Sequence, residues 1–163
     1  MWAIDFQFDE TADGRPVKIL DVTDEFTRES LATNAARRIL AAGTMAVLDQ
    51  IREQRGSPMF LRMDNGPEFI ADTSRDWCKE LNIQANYCDP GSPWQNGRLE
   101  SFNSRLRDEL QTREVLDSMW EICCMLEEHR NNYNHYRPHS ALSYLTPFEF
   151  AAKWAAKNSV LVS

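Results

Sequence analysis

The sequence predicts an α/β protein in which one mixed sheet is flanked by helices. Three observations carry that prediction. Trp2, Ile4, Phe6 and Phe8 alternate with Ala3, Asp5 and Gln7, the two-residue period of a strand. Asp13-Gly14, a dipeptide favoured in tight hairpins, separates this run from a second apolar one. Beyond the third apolar run the period switches to that of a helix and then back, so the order reads β-β-β-α-β-α-β-α-α. A three-strand antiparallel meander is therefore expected to be followed by strands joined through helices, which makes the later strands parallel.

The first strand is expected over Met1 to Phe8, the turn over residues 9–16, the returning strand over Val17 to Val22 and a third over Arg28 to Thr33. Ala41, Met45, Leu48 and Ile51 recur at helical spacing, and Gly56-Ser57-Pro58 ends that helix. Met59 to Met63 is a short apolar run that leads into Asp64-Asn65-Gly66-Pro67, as a buried strand feeding a sharp turn would. Ser74 to Leu81 reads as a short helix and Gln84 to Cys88 as a short strand. Asp89-Pro90-Gly91-Ser92-Pro93 must be a loop. Two helices are then expected, over Trp94 to Leu110 and Leu116 to Tyr133. Leu116, Met119, Trp120, Cys123 and Leu126 form the core stripe of the second.

A chain of 163 residues with 42% hydrophobic and 26% charged residues fits one ordinary folded domain and excludes intrinsic disorder. Its longest apolar stretch, Ile39 to Leu48, is about half of what a membrane-spanning helix needs. The N-terminus has neither a basic region nor a signal-peptide core, so a cytoplasmic location is expected. Cys78, Cys88, Cys123 and Cys124 make no Cys-x-x-Cys pair and read as reduced packing thiols. The net charge of −7 argues against a general nucleic-acid coat, because such binding comes from Lys and Arg. It leaves room for a nuclease, which needs carboxylates to hold divalent metals. Residues 1–36 hold eight acids against three bases, whereas residues 98–113 hold four arginines against three acids.

Some of those acids do not fit a structural role. Asp5 lies in the middle of an otherwise apolar strand, and burying a lone carboxylate is costly unless it is paired or bound to metal. Asp64 ends a second apolar strand. On a helix, Leu99, Phe102, Leu106 and Leu110 fall within about 80° of one another, and Glu100 heads an adjoining polar strip with Asn96, Asn103 and Arg107. Such a strip is also what a solvated helix face looks like, but together with Asp5 and Asp64 it suggests a site at the sheet edge. Three oxygen ligands suit Mg²⁺ or Mn²⁺ rather than Zn²⁺. Asp21 and Asp24 are rival carboxylates on the neighbouring strand, and Asp24 suits a turn cap better than a metal. Glu68 is a further candidate near the site, and Gly66 would allow close approach of the backbone. Trp94 opens a helix after the Pro-rich loop, where it could stack on a base or pack. His129, His135 and His139 fit no metal-binding spacing and read as structural or DNA-facing.

The ordered motifs resemble those of insertion-sequence transposases of the retroviral-integrase type. W-x-x-D-F stands at Trp2 to Phe6, D-x-F-T-R at Asp24 to Arg28 and D-N-G-P-E-F at Asp64 to Phe69. P-x-x-P-W-Q-N-G-x-x-E-S-F-N spans Pro90 to Asn103, and Y-N-x-x-R-P-H-S-A-L-x-Y-L-T-P spans Tyr133 to Pro147. Asp64 and Glu100 are separated by 35 intervening residues, the spacing of the D,D(35)E signature, and Arg107 occupies the family's basic position seven residues after the Glu.

The resemblance implies a ribonuclease H-like fold and a metal-dependent polynucleotidyl transferase that cleaves transposon 3′ ends and transfers the strands. Asp5, Asp64 and Glu100 would be the catalytic residues, holding two Mg²⁺ or Mn²⁺ ions. Asn65, Trp94, Gln95, Asn96, Asn103 and Arg107 would contact DNA. Residues 1–154 would form the catalytic core, with the family's C-terminal motif at 133–150 and a tail at 155–163. The partners implied are transposon-end and target DNA, further copies of the chain on that DNA, and an upstream helix-turn-helix domain or protein that this chain is expected to lack. The competing reading is a noncatalytic remnant that binds DNA or joins transposase complexes.

Overall fold

The computed structural model describes residues 1–64, 66, 69, 72–87 and 118–159. The expected sheet is there: β1 (Trp2–Glu10), β2 (Pro16–Asp24), β3 (Ser30–Ala36), β4 (Phe60–Met63) and β5 (Gln84–Tyr87), in the order β3-β2-β1-β4-β5. β1, β2 and β3 are antiparallel, while β1 with β4 and β4 with β5 are parallel. The helices are α1 (Ala41–Arg55), α2 (Asp72–Glu80), α3 (Met119–Tyr136) and α4 (Pro147–Ser159), with a 3₁₀ turn at Ser140–Leu142. Among the described residues no helix is long and apolar enough to cross a membrane.

Local chemistry sets the turns. Gly14 takes φ 74°, closed by its N–H to the Thr11 carbonyl at 2.7 Å, which is the conformation a glycine supplies without strain. After β2, Asp24 Oδ1 accepts from the Phe26 and Thr27 amides at 2.7 and 3.2 Å, so Asp24 caps the turn as its sequence context suggests. Arg28 closes that turn at φ 65°, and the third strand therefore starts at Ser30 rather than Arg28 and runs on to Ala36. Gly56 ends α1 as expected, with φ 79° and its N–H on the Arg52 carbonyl.

Strand alternation sorts the core onto two faces. Trp2, Ile4, Leu20 and Val22 pack with Met45, Leu48 and Ile51 of α1 and with Leu61, Met63 and Phe69. Ala3, Val17, Ile19 and Ala35 face the other way, against Ile122, Met125, Leu126 and Tyr133 of α3.

The buried stripe of α3 differs from the expected one. Trp120 is 74% exposed and Cys123 is exposed, while Ile122, Met125, Leu126, His129 and Tyr133 are buried. Both sets have helical spacing. The structure selects the set whose spacing continues along the helix to Tyr133 and Asn134, where Asn134 clasps Ser30: its Oδ1 accepts the Ser30 N–H at 2.8 Å and its Nδ2 donates to the Ser30 carbonyl at 2.9 Å. The α3 N-terminus is closed by a reciprocal Ser118–Glu121 capping box. Of the cysteines, Cys78 is a packing thiol, Cys123 and Cys124 are exposed, and Cys88 lies outside the described residues.

Candidate active site

Asp5 sits at the middle of β1 and Asp64 immediately beyond the end of β4. The parallel register pairs Trp2 with Leu61 and Ala3 with Arg62. Continued one for one, the same offset brings Asp64 alongside Asp5. In-register neighbours on adjacent strands are about 4.8 Å apart and point to the same face. Two carboxylates 59 positions apart in the sequence are thus directed to the same place, where β4 stops and β1 continues.

The surrounding contacts hold both in place. Asp5 Oδ1 accepts the Phe6 N–H at 2.8 Å, and Asp64 Oδ1 accepts the Gly66 N–H at 2.9 Å. Gly66 is needed here because a Cβ at that position would come within 2.9 Å of Asp64 Oδ1. This glycine thereby leaves room for the carboxylate. The Gly66 carbonyl accepts from the Phe69 N–H at 2.9 Å. The fully buried Phe69 ring then stacks on Phe6, with centroids 4.9 Å apart and planes 11° from parallel. The residue after Asp5 is thereby tied to the turn after Asp64. Arg62 of β4 also forms an ion pair with the buried Glu25, joining β4 to the end of the meander.

A third acid lies on the same face. The antiparallel registers set Asp21 opposite Asp5 on one side and Thr33 on the other. Asp21 is 0% exposed; its Oδ2 accepts from Gln7 Nε2 at 2.6 Å, and its Oδ1 has no hydrogen-bond partner. Burial pushes its carboxyl up to about 7, opposed by the Gln7 amide and the nearby Thr33 hydroxyl and reinforced by the negative charge of Asp5. In the sequence Asp21 is one of two rival acids, and its burial was legible there. It shares the face of Val17 and Ile19, and a hairpin centred on Asp13 puts it across from Asp5.

Glu100, Asn65, Glu68, Trp94, Gln95, Asn96, Asn103 and Arg107 lie outside the described residues. Among the described residues no group of three His, Cys, Asp or Glu side chains is gathered to hold a metal. Of the histidines only His129 is buried; His135 is exposed and His139 half-buried. His129 is buried beside Tyr133, His139 meets the Tyr133 ring edge-on at 4.8 Å, and His135 lies 4.5 Å from Phe148 of α4.

Two family profiles, both described as integrase core domain, match residues 1–93 and 81–147. The chain belongs to the integrase core domain family. This integrase core is 36% identical over 158 residues to the uncharacterized 39.2 kDa protein of insertion element IS476 from Xanthomonas euvesicatoria, covering 97% of this chain and 46% of that one. It is 36% identical over 156 residues to the uncharacterized 31.7 kDa protein of insertion element IS407 from Burkholderia multivorans, covering 96% and 56%. The chain spans about half the length of these curated relatives. Among solved structures, the HTLV-2 integrase catalytic core domain in complex with magnesium matches with a TM-score of 0.69 at 14% identity, covering 91% of this chain and 93% of that one. The fold is therefore ribonuclease H-like, as the motifs imply.

Proposed function

We propose that this integrase core is the catalytic domain of a metal-dependent DNA transposase, which cleaves at transposon 3′ ends and joins those ends to target DNA. The observation that carries the reading is the parallel register of β1 and β4, Trp2 with Leu61 and Ala3 with Arg62, which continued by the same offset directs Asp64 toward Asp5. Two carboxylates at the end of one strand and the middle of its neighbour are costly to place together unless a cation lies between them. The insertion-element relatives and the motif order support mobile DNA as the substrate, and a solved core of the same fold was obtained with magnesium.

Asp5, Asp64 and Glu100 would hold two Mg²⁺ or Mn²⁺ ions, whose chemistry when bound is to polarise the phosphodiester and favour ionisation of the attacking oxygen. Within the protein, the Phe6 and Gly66 amides each fix one carboxylate oxygen, and the Phe6–Phe69 stack holds the two backbones together. Asn65, Trp94, Gln95, Asn96, Asn103 and Arg107 would position the DNA, with Arg107 set against a phosphate. Hydrolysis first frees a 3′-hydroxyl, and that hydroxyl then attacks a second phosphodiester. Both are in-line displacements at phosphorus, so one site serves for each and no protein nucleophile is required. A DNA-recognition domain or protein and further copies of the chain complete the assembly, which works on chromosomal DNA in the cytoplasm.

The test is Asp64→Asn, assayed with Mg²⁺ on labelled transposon-end DNA with the recognition partner supplied. Strand transfer should fall about a hundredfold or more. A variant that transfers strands as well as the parent would overturn the assignment.

A further inference from the structure

We infer that Asp21 is a positioning residue for the candidate metal site, standing behind Asp5 on the neighbouring strand and strengthening the site's hold on a divalent cation. The inference rests on the reading of Asp5 and Asp64 as cation ligands and extends it to a residue outside the expected triad.

Geometry is the first argument. Asp21 is the cross-strand partner of Asp5 on the same face of the sheet. The β-carbons of such partners are about 5 Å apart. Gln7, itself buried, anchors Oδ2, so Oδ1 is the oxygen left unsatisfied. The described groups that act on the carboxyl are Gln7, Thr33 and Asp5, and none is a cation.

Cost is the second argument. A fully buried carboxyl with an orphaned oxygen and no cation beside it among the described residues opposes folding. An asparagine of the same shape would keep the Gln7 bond at lower cost. What the acid adds, once ionised, is negative potential at Asp5, and a cation bound there in turn favours that ionised form. With no described trio of ligands around it, Asp21 acts through Asp5 rather than as a ligand of its own.

The two arguments give Asp21→Asn effects of opposite sign. Mn²⁺ binding to the full chain without DNA would be followed by the electron paramagnetic resonance of free Mn²⁺. Melting would be measured separately in chelator. We expect the variant's dissociation constant to rise about tenfold, with melting at or above the parent temperature. Asp21→Ser, smaller and uncharged, should show the same loss of affinity. A dissociation constant within twofold of the parent in both variants would overturn the inference. So would a loss of affinity accompanied by melting below the parent in both, since that marks a merely structural role. If the parent takes up no Mn²⁺, or Asp5→Asn binds it as the parent does, the reading of Asp5 and Asp64 as ligands falls and this inference with it. If Asp5→Asn loses binding while both Asp21 variants keep it, only this inference falls.

Discussion

Gly66 is the clearest case of one residue shaping the site. Its backbone φ is outside the left-handed region, so an alanine is conformationally acceptable there. The three atoms nearest an added Cβ all belong to the Asp64 carboxylate, Oδ1 at 2.9 Å being the closest. Gly66→Ala is therefore expected to leave stability within about 1 kcal/mol of the parent. Strand transfer should nevertheless fall by roughly ten- to a hundredfold, because a carboxylate displaced by part of an ångström is misplaced for its task. Parallel melting and strand-transfer assays check this; equal losses in the two would mean that the glycine serves the fold and not the carboxylate. At the same scale, the role of Asp24 as a turn cap was legible from Asp24-Glu25-Phe26-Thr27, because the interaction spans only a few residues.

Elements were legible in type more than in extent. The hairpin, the stop at Gly56 and the five strands follow from local signals. The third strand's start depended on a turn that Arg28 closes with positive φ, which alternation alone does not reveal. For α3 two stripes of equal helical period compete, and what decides is the partner surface of β2 and β3. α4 had a local signal in Thr146-x-x-Glu149, and the capping bonds form: the Thr146 amide and hydroxyl donate to Glu149 Oε2 at 2.9 and 3.1 Å. The Asn134 clasp on Ser30 couples α3 to β3 across 104 positions of sequence. Asn134→Ala would strip partners from a buried N–H and a buried carbonyl, at a cost of about 2–3 kcal/mol. Denaturant unfolding measures it, and a change below about 0.5 kcal/mol would show that the clasp is not a stabilising contact.

At the scale of the whole molecule, the acid-rich meander has a consequence for stability. The folded state holds the Asp21 carboxyl at about 7, above its ordinary value of 3.8. A raised pKa means that the fold favours the protonated form. The contribution of Asp21 is thus fully present below about 4 and is lost as pH rises through about 7. In the cation-free protein, the stability difference between Asp21→Asn and the parent should therefore shift in favour of the variant across that window. Melting curves from pH 4 to 8 in chelator read it directly, and a difference that stays flat would show that Asp21 is not held protonated by the fold.

By itself the sequence determined the α/β class, the order of the five strands with α1, α2 and α3 among and after them, and the candidacy of Asp5 and Asp64. These are encoded in period, turn residues and ordered motifs, all of them local. α4 was not read from the sequence, and the helix expected over Trp94 to Leu110 lies outside the described residues. The hairpin itself was legible, but its register was not: a two-residue Asp13-Gly14 turn would set Asp5 opposite Val22, whereas the loop closed by Thr11 and Arg15 sets it opposite Asp21. Only the tertiary structure decided the parallel pairing of β1 with β4 that directs Asp64 toward Asp5, because the two strands are joined through β2, β3 and α1 and no local signal sets a parallel register across so long a connection. It likewise decided which stripe of α3 is buried and that the oxygen of Asp21 is left without a partner, since both depend on what the neighbouring elements present.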